Sequence, residues 1–203
     1  MTPFLRVAGV AAPMTTPNID TDVIMPKMFL KGVDRSGLGD GAFNLLRFSA
    51  GKPNPDFVLN LEGYRDACFL VVGPNFGCGS SREHAVWGLQ QLGIRALIGT
   101  TFAGIFYDNC ANNGLLTISL DVATIGMLAE RVADPLTNRL AIDLERQFIL
   151  LDGRDGSAVS FAIEAARKEA FLTGRDAISS TLVFADDMRA FEARHRAENP
   201  WFF

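Results

Sequence analysis

Cys68-Phe69-Leu70-Val71-Val72-Gly73-Pro74-Asn75-Phe76-Gly77-Cys78-Gly79-Ser80-Ser81-Arg82-Glu83-His84 is the stretch that decides the fold. Its first five residues are a compact apolar run bounded by Asp66 and by Gly73-Pro74, which suits a buried strand. A glycine-rich loop follows. From Arg82 to Leu92 the apolar positions Ala85, Val86, Leu89 and Leu92 recur at helical spacing, and Gly93 stands where a helix-terminating glycine belongs. Residues 96–98 form the next short strand, 102–110 another helix and 115–120 another strand. This β-loop-α-β-α-β order predicts right-handed crossovers, an at least partly parallel core sheet flanked by helices, and hence the α/β class.

Working outward, residues 4–10 alternate as a short strand closed by Ala12-Pro13. Asn18-Ile19-Asp20-Thr21-Asp22-Val23-Ile24-Met25-Pro26 sets turn-forming polar residues before an apolar β-branched pair, as in a loop that holds a ligand or caps a backbone. Residues 32–41, with four glycines, two aspartates and an arginine, have the composition of a mobile loop. Residues 42–48 read as a short helix and 51–55 as a connector. Further on, 125–132 is helical, 140–144 and 147–151 form a hairpin around Glu145-Arg146, and 152–156 is a turn. Residues 161–172 have helical apolar spacing ended by Gly174, and 186–197 form a charged C-terminal helix. The chain reads as a single domain over residues 1–203 with a helical extension from about residue 160. Its aromatic end, Asn199-Pro200-Trp201-Phe202-Phe203, either packs onto its own domain or forms a partner surface.

The chain has 203 residues, 48% of them hydrophobic, enough for a substantial core. A net charge of −4, from 19 basic and 23 acidic residues, argues against a nucleic-acid or anionic-membrane surface. Cys68, Cys78 and Cys110 are too few and too scattered for a disulfide framework or a cluster site made by this chain alone, and two histidines add little. The N-terminal 14 residues do not resemble a secretory signal, and no apolar stretch reaches membrane-spanning length, so a reducing cytoplasm is the expected setting.

The loop carries chemistry as well as topology. Gly77, Cys78 and Gly79 let backbone N–H groups approach a ligand, because glycine admits positive φ without steric penalty. Ser80 and Glu83 stand at S-x-x-E spacing, so Ser80 or its neighbour is placed to cap the helix. The helix N-terminus presents unpaired N–H groups, and Arg82 adds a planar charged fork suited to a carboxylate. These features describe a site for a small carboxylate or phosphate. The same strand, turn and capped helix also occur without any chemistry, and Ser80 then is a cap alone. No lysine follows the glycines, no third glycine completes G-x-G-x-x-G, and G-x-S-x-G is absent, which weakens nucleotide binding and removes the usual nucleophile elbow.

Four segments carry a resemblance. Residues 75–85, residues 18–26, Phe102-Ala103-Gly104-Ile105-Phe106 and Asn112-Asn113-Gly114-Leu115-Leu116 resemble, in order and spacing, the swivelling domain of the aconitase family. Pro26-Lys27-Met28-Phe29-Leu30-Lys31 and the Glu-Asn-Pro-Trp tail look like the small subunits of bacterial isopropylmalate dehydratases within that family. The resemblance implies an aconitase-type swivelling domain and a hydro-lyase interconverting 2-isopropylmalate and 3-isopropylmalate in leucine biosynthesis. It implies no cofactor in this chain, a [4Fe-4S] cluster acting as Lewis acid in a separate large subunit, and a heterodimer or higher heteromer as the active form. By the same carry-over Ser80 is the base, Ser81 and Arg82 hold substrate, and Asp22 is an active-site aspartate orienting Arg82 or a neighbour.

Substrate choice is expected in Phe29, Leu30, Lys31 and Arg35: Leu30 or Phe29 supplies the apolar wall that an isopropyl group needs, and Lys31 or Arg35 reaches an anion. Glu83 and His84 read as capping or supporting hydrogen-bond groups, Cys78 as a small packing residue, and Asp20 and Thr21 as loop-shaping groups. A homoaconitase or a citraconate or methylmalate dehydratase would keep the same chemistry and differ in the 29–41 segment. A non-catalytic dicarboxylate-binding module is a reading of another class. It predicts tight binding by the chain alone, whereas a half-site predicts weak binding.

Overall fold

The structure, a computed structural model, describes residues 1–30, 35–151 and 157–202. Strand β1 (Arg6–Met14) leads into an excursion of single turns: α1 (Thr21–Ile24), α2 (Leu38–Gly41), α3 (Asn44–Arg47) and a small hairpin of β2 (Phe48–Ser49) and β3 (Lys52–Pro53). Then follow β4 (Ala67–Val72), α4 (Glu83–Gln91), β5 (Ala96–Gly99), α5 (Gly104–Asn113), β6 (Leu116–Ser119) and α6 (Val122–Ala133). The chain continues through β7 (Arg139–Asp143), β8 (Phe148–Leu151), β9 (Ala158–Ser160), α7 (Ala165–Thr173), α8 (Ala177–Thr181) and α9 (Ala185–Glu198).

The main sheet has the order β6-β5-β4-β1-β7-β8-β9. β1, β4, β5 and β6 run parallel, while β7, β8 and β9 extend the sheet antiparallel from the far edge of β1. The α/β reading with a partly parallel core sheet therefore holds. The parallel strands are nearly continuous apolar runs because both sheet faces are covered. Leu70, Val72 and Leu97 pack with α4 and α5 on one face. Phe69, Val71 and Ile98 pack with α6, β7 and β8 on the other. Each large apolar side chain so buried contributes about 1.5–3 kcal/mol.

Several expectations need correction. β1 does not close at Ala12-Pro13 but runs through to Met14. Ala11 donates to the Asn138 carbonyl, on the β7 side, and Pro13 faces the same way, beyond the last β1–β7 pair at Val10. Its missing N–H therefore removes no ladder bond. The short helix read at 42–48 is confined to α3, Asn44–Arg47: Phe43, at φ 52°, caps its start and separates it from α2. Within the predicted mobile loop, residues 31–34 lie outside the described residues, but Leu38 and Gly41 are buried in a turn against α4. A Cβ on Gly41 would meet Phe29 at 2.7 Å and Met25 at 2.9 Å, so the glycine is there for packing. The turn predicted at 152–156 also lies outside the described residues.

The helix expected from residue 161 begins at Ala165. Phe161 instead follows β9, its N–H bonding the Gln147 carbonyl at 3.0 Å. Phe161 and Phe171 share one core cluster through tertiary packing, and this made their spacing look helical. The other expected helices, α4, α5, α6 and α9, match within a few residues, whereas α1 and α8 were not expected. No helix among the described residues is long and apolar enough to cross a membrane.

Candidate active site

The parallel strands β1, β4 and β5 send their carboxyl ends to one side, where ligand sites of open α/β sheets collect. Three loops leave those ends and are joined by backbone hydrogen bonds. Asn18 N–H bonds the Pro74 carbonyl at 2.9 Å, Gly77 N–H the Ile19 carbonyl at 2.8 Å, and Thr21 N–H the Cys78 carbonyl at 2.8 Å. On the other flank Ala103 N–H bonds the Phe76 carbonyl at 3.1 Å, and Asn75 N–H bonds the Thr101 hydroxyl at 2.8 Å. The glycine loop is thus held from both sides.

Gly77 and Gly79 adopt φ 77° and 92°, the left-handed region expected of them. Their roles differ. Gly77 gives its N–H to Ile19, so it is not offered to an anion, and the Phe106 ring carbons lie 2.2–2.7 Å from where its Cβ would stand. Gly79 is exposed and has room. Cys78 is half-buried within the loop. Ser80 is not the helix cap: Arg82 occupies that position and makes no side-chain capping bond. In the first turn of α4 Ala85 N–H bonds the Arg82 carbonyl at 3.2 Å, and the N–H groups of Glu83 and His84 come too early in the helix for an intrahelical acceptor.

Ser80 and Ser81 are exposed, and the Ser80 carbonyl accepts from the Thr21 hydroxyl at 2.8 Å. Arg82 is only 10% exposed through its side chain, and its Nη1 donates to Asp22 Oδ1 in an ion pair bridging the two loops. Nη2 of the same fork lies 3.5 Å from Ser80 Oγ. The Arg82 hydrogen bond holds the Asp22 carboxyl below the usual carboxylate range, with Lys27 adding a smaller attraction. Asp20 accepts from Val23 N–H at 2.8 Å and Thr21 ties the loops, so both shape the loop as expected.

A cleft of about 130 Å³ opens here, lined on one side by Thr21, Gly79, Ser80 and Arg82 and on the other by Ala103, Ile105 and Phe106. The second wall is the start of α5, whose part in the site sequence reasoning missed. The available signal was Phe102-Ala103-Gly104-Ile105-Phe106, one of the four segments that carry the resemblance. Behind the cleft, Asn113 joins α4 to α5: its Nδ2 donates to Glu83 Oε1 at 2.6 Å, and its Oδ1 accepts from Trp87 Nε1 at 2.8 Å. Glu83 is thus a supporting hydrogen-bond group, and the His84 ring packs tilted against Trp87 with centroids 4.7 Å apart. Phe29 and Leu30 pack against the core and do not line the cleft, and Arg35 stands over the Trp87 ring at 4.0 Å. Lys31 lies outside the described residues.

Among the described residues no group of three or more His, Cys, Asp or Glu side chains is placed to hold a metal. Cys110 is fully buried, and desolvation raises its thiol well above the ordinary value.

Comparison with known proteins bears on the whole chain. The model of the aconitase C-terminal domain matches residues 1–123. A second model, of the C-terminal domain of the 3-isopropylmalate dehydratase small subunit, matches residues 178–203. The 3-isopropylmalate dehydratase small subunit 2 of Salmonella typhimurium is 52% identical over 99% of this chain and 96% of its own length. The 3-isopropylmalate dehydratase small subunit of Dinoroseobacter shibae is 47% identical over 99% of this chain and its full length. A solved 3-isopropylmalate dehydratase from Methanocaldococcus jannaschii has a TM-score of 0.64, covering 94% of this chain and 99% of that one. At 22% identity it speaks to the fold alone.

Proposed function

The chain belongs to the 3-isopropylmalate dehydratase small subunits, built on the aconitase C-terminal domain, and from that premise we propose how its cleft serves the hydro-lyase reaction of leucine biosynthesis. Ser80 is the base, Arg82 and Ser81 hold a substrate carboxylate, and Asp22 holds Arg82. The observation that carries this reading is the Asp22–Arg82–Ser80 arrangement, which aims one limb of a buried guanidinium at an exposed serine inside a cleft.

A serine hydroxyl is too weak an acid to be ionised at neutral pH, so its anionic form needs stabilisation before it takes a proton from carbon. Arg82 and the N-terminal end of α4 supply positive potential at that spot. Asp22 contacts one nitrogen of the fork, leaving the side toward Ser80 for a carboxylate. Ser80 Oγ then removes the proton beside the carboxylate as the hydroxyl on the neighbouring carbon departs. Re-addition of water with the opposite regiochemistry gives the isomeric malate.

The three cysteines do not fit an iron–sulfur cluster: Cys110 is fully buried and Cys68 is half-buried at the sheet, away from the Cys78 loop. The expected [4Fe-4S] cluster, whose chemistry would be Lewis acidity at the departing hydroxyl, is assigned to the large subunit, and the active form is a heteromer in the cytoplasm. Assignment of substrate choice to Phe29, Leu30, Lys31 and Arg35 rests on the resemblance; the apolar wall facing Ser80 is that of Ala103, Ile105 and Phe106.

The test is hydration of isopropylmaleate, followed by ultraviolet absorbance, with the chain mixed anaerobically with a cluster-loaded large subunit. Activity only in the mixture, reduced by about 10²–10⁴-fold in Ser80→Ala with melting and association unchanged, is the expected result. A wild-type rate in that variant would remove Ser80 as the base. An inert mixture that turns over citraconate would replace the substrate and keep the mechanism.

A further inference from the structure

The last two helices carry an apolar face that the core does not use. Phe184, Met188, Phe191 and His195 fall at helical spacing along one side of α9, with Phe184, Met188 and Phe191 exposed by 57%, 48% and 58%. Trp201 and Phe202 fold back onto the same side: Phe202 stacks on His195 with centroids 6.1 Å apart, and His195 on Phe191 at 5.5 Å. Ile178 and Leu182, four residues apart, are exposed by 74% and 60%. No residue beyond Leu172 belongs to either core cluster among the described residues. Single exposed apolar residues are ordinary, but a contiguous aromatic stripe is not.

We infer that this C-terminal arm, residues 178–202, is a docking surface for the large subunit, an inference that rests on the proposed function above. Two observations select that occupant over a second copy of this chain. The first is continuity with the incomplete site. The arm begins on the flank of α5, where a groove of about 800 Å³ runs between Asp108 and Asn112 of α5, Arg167 and Phe171 of α7, and Val183 and Phe184 of the arm. The first turn of that same α5 is a wall of the active-site cleft, and its Ile105, 59% exposed, prolongs the apolar surface to the rim. Arg167 fixes the geometry, pairing with Asp108 at 2.7 Å and standing over the Tyr107 ring at 4.5 Å. A partner that completes the cleft from the α5 side is therefore adjacent to the arm. The second is that the arm matches a family model of its own, named for the small subunit, distinct from the model that matches residues 1–123. The Asp186–Arg189 and Glu192–Arg196 ion pairs border the stripe with charge, as at the rim of a recognition surface.

The experiment compares the full-length chain with a Met188→Glu, Phe191→Glu double variant, titrated against the cluster-loaded large subunit in analytical ultracentrifugation. Leu136→Glu, at an 88% exposed position on the turn before β7, is the control for loss of surface hydrophobicity. The expected result is binding weakened about 100-fold or more in the double variant, unchanged in the control, with the melting temperature of the isolated chain unaltered in both. Binding equal to wild type overturns the inference. So does a wild-type self-association that the double variant abolishes while large-subunit binding persists, since the arm then receives a second copy. A marked fall in melting temperature also overturns it, because the stripe would then serve the chain's own fold. Failure of the wild-type chain to bind any large subunit would instead bring down the proposed function itself.

Discussion

Replacing Gly77 by alanine should be far more damaging than the same change at Gly79, although the two glycines sit two residues apart in one loop. Both have positive φ, 77° and 92°, so each alanine carries the left-handed strain, about 1–2 kcal/mol. At Gly79 little is added, since the nearest atoms to a new Cβ are Asp20 Cβ at 3.4 Å and Thr21 Oγ1 at 3.5 Å, ordinary contacts. At Gly77 the Cβ would stand 2.2 Å from Cγ of Phe106 and 2.3 Å from Cδ1. The ring has to retreat by about 1.5 Å to reach normal contact. Behind it lies the fully buried Phe76, edge-to-face at 5.7 Å, so retreat means overpacking, about 1–3 kcal/mol more. The sum is about 2–5 kcal/mol for Gly77→Ala against about 1–2 for Gly79→Ala. Urea unfolding of the isolated chain reads both, with midpoints shifted and the slope unchanged. Equal destabilisation by the two alanines would refute the view that Gly77 is a packing position and Gly79 a ligand-facing one.

Asn113→Asp removes the donor to Glu83 and sets two carboxylates at hydrogen-bond distance, costing about 2–4 kcal/mol at neutral pH. One carboxyl of that pair then has a raised pKa in the folded chain, so the lost stability should return as pH falls; a pH-independent loss in urea titrations would refute the pairing. Asp22 is the reverse case: Arg82 depresses its pKa in the fold, the unfolded chain binds more protons in that window, and the pair's contribution is present above the ordinary carboxylate range and lost as pH falls through the depressed value. Asp22→Asn should therefore flatten the acid limb of the stability profile below roughly pH 4, and an unchanged limb would count against the ion pair. Tyr64→Phe should cost about 1–2 kcal/mol, because the single phenol proton is shared between the Val132 and Ala133 carbonyls, 2.9 and 2.7 Å away at the end of α6; a neutral variant in thermal unfolding would show that water replaces it.

The supporting layer explains how an exposed serine and a buried arginine stay in register. The Asp22–Arg82 pair ties α1 to the N-cap of α4, and the Glu83–Asn113–Trp87 network ties α4 to α5. Both walls of the cleft are thus braced against the same helix. Arg82→Lys would keep the charge but lose the fork that reaches Asp22 and Ser80 together.

The order of elements from residue 67 to 119, the two positive-φ glycines and the carboxylate-suited arginine were legible in the sequence. Each is written locally: an apolar run for a strand buried on both faces, helical spacing for α4, and glycine where the backbone turns left-handed. The resemblance also supplied Asp22 as a neighbour of Arg82, and the ion pair joins them. Only the tertiary structure decided the rest. Pro13 continues β1 because strand register turns its missing N–H away from the ladder, and spacing along a chain does not encode register. Phe161 looked helical because the core gathers side chains from different elements. Gly77 serves Phe106 rather than an anion, the start of α5 becomes a wall of the cleft, and the C-terminal stripe stays uncovered by the core. Local patterns reveal which elements form and which faces are apolar. Which faces meet depends on contacts between residues far apart in sequence, and those exist only once the strands have paired.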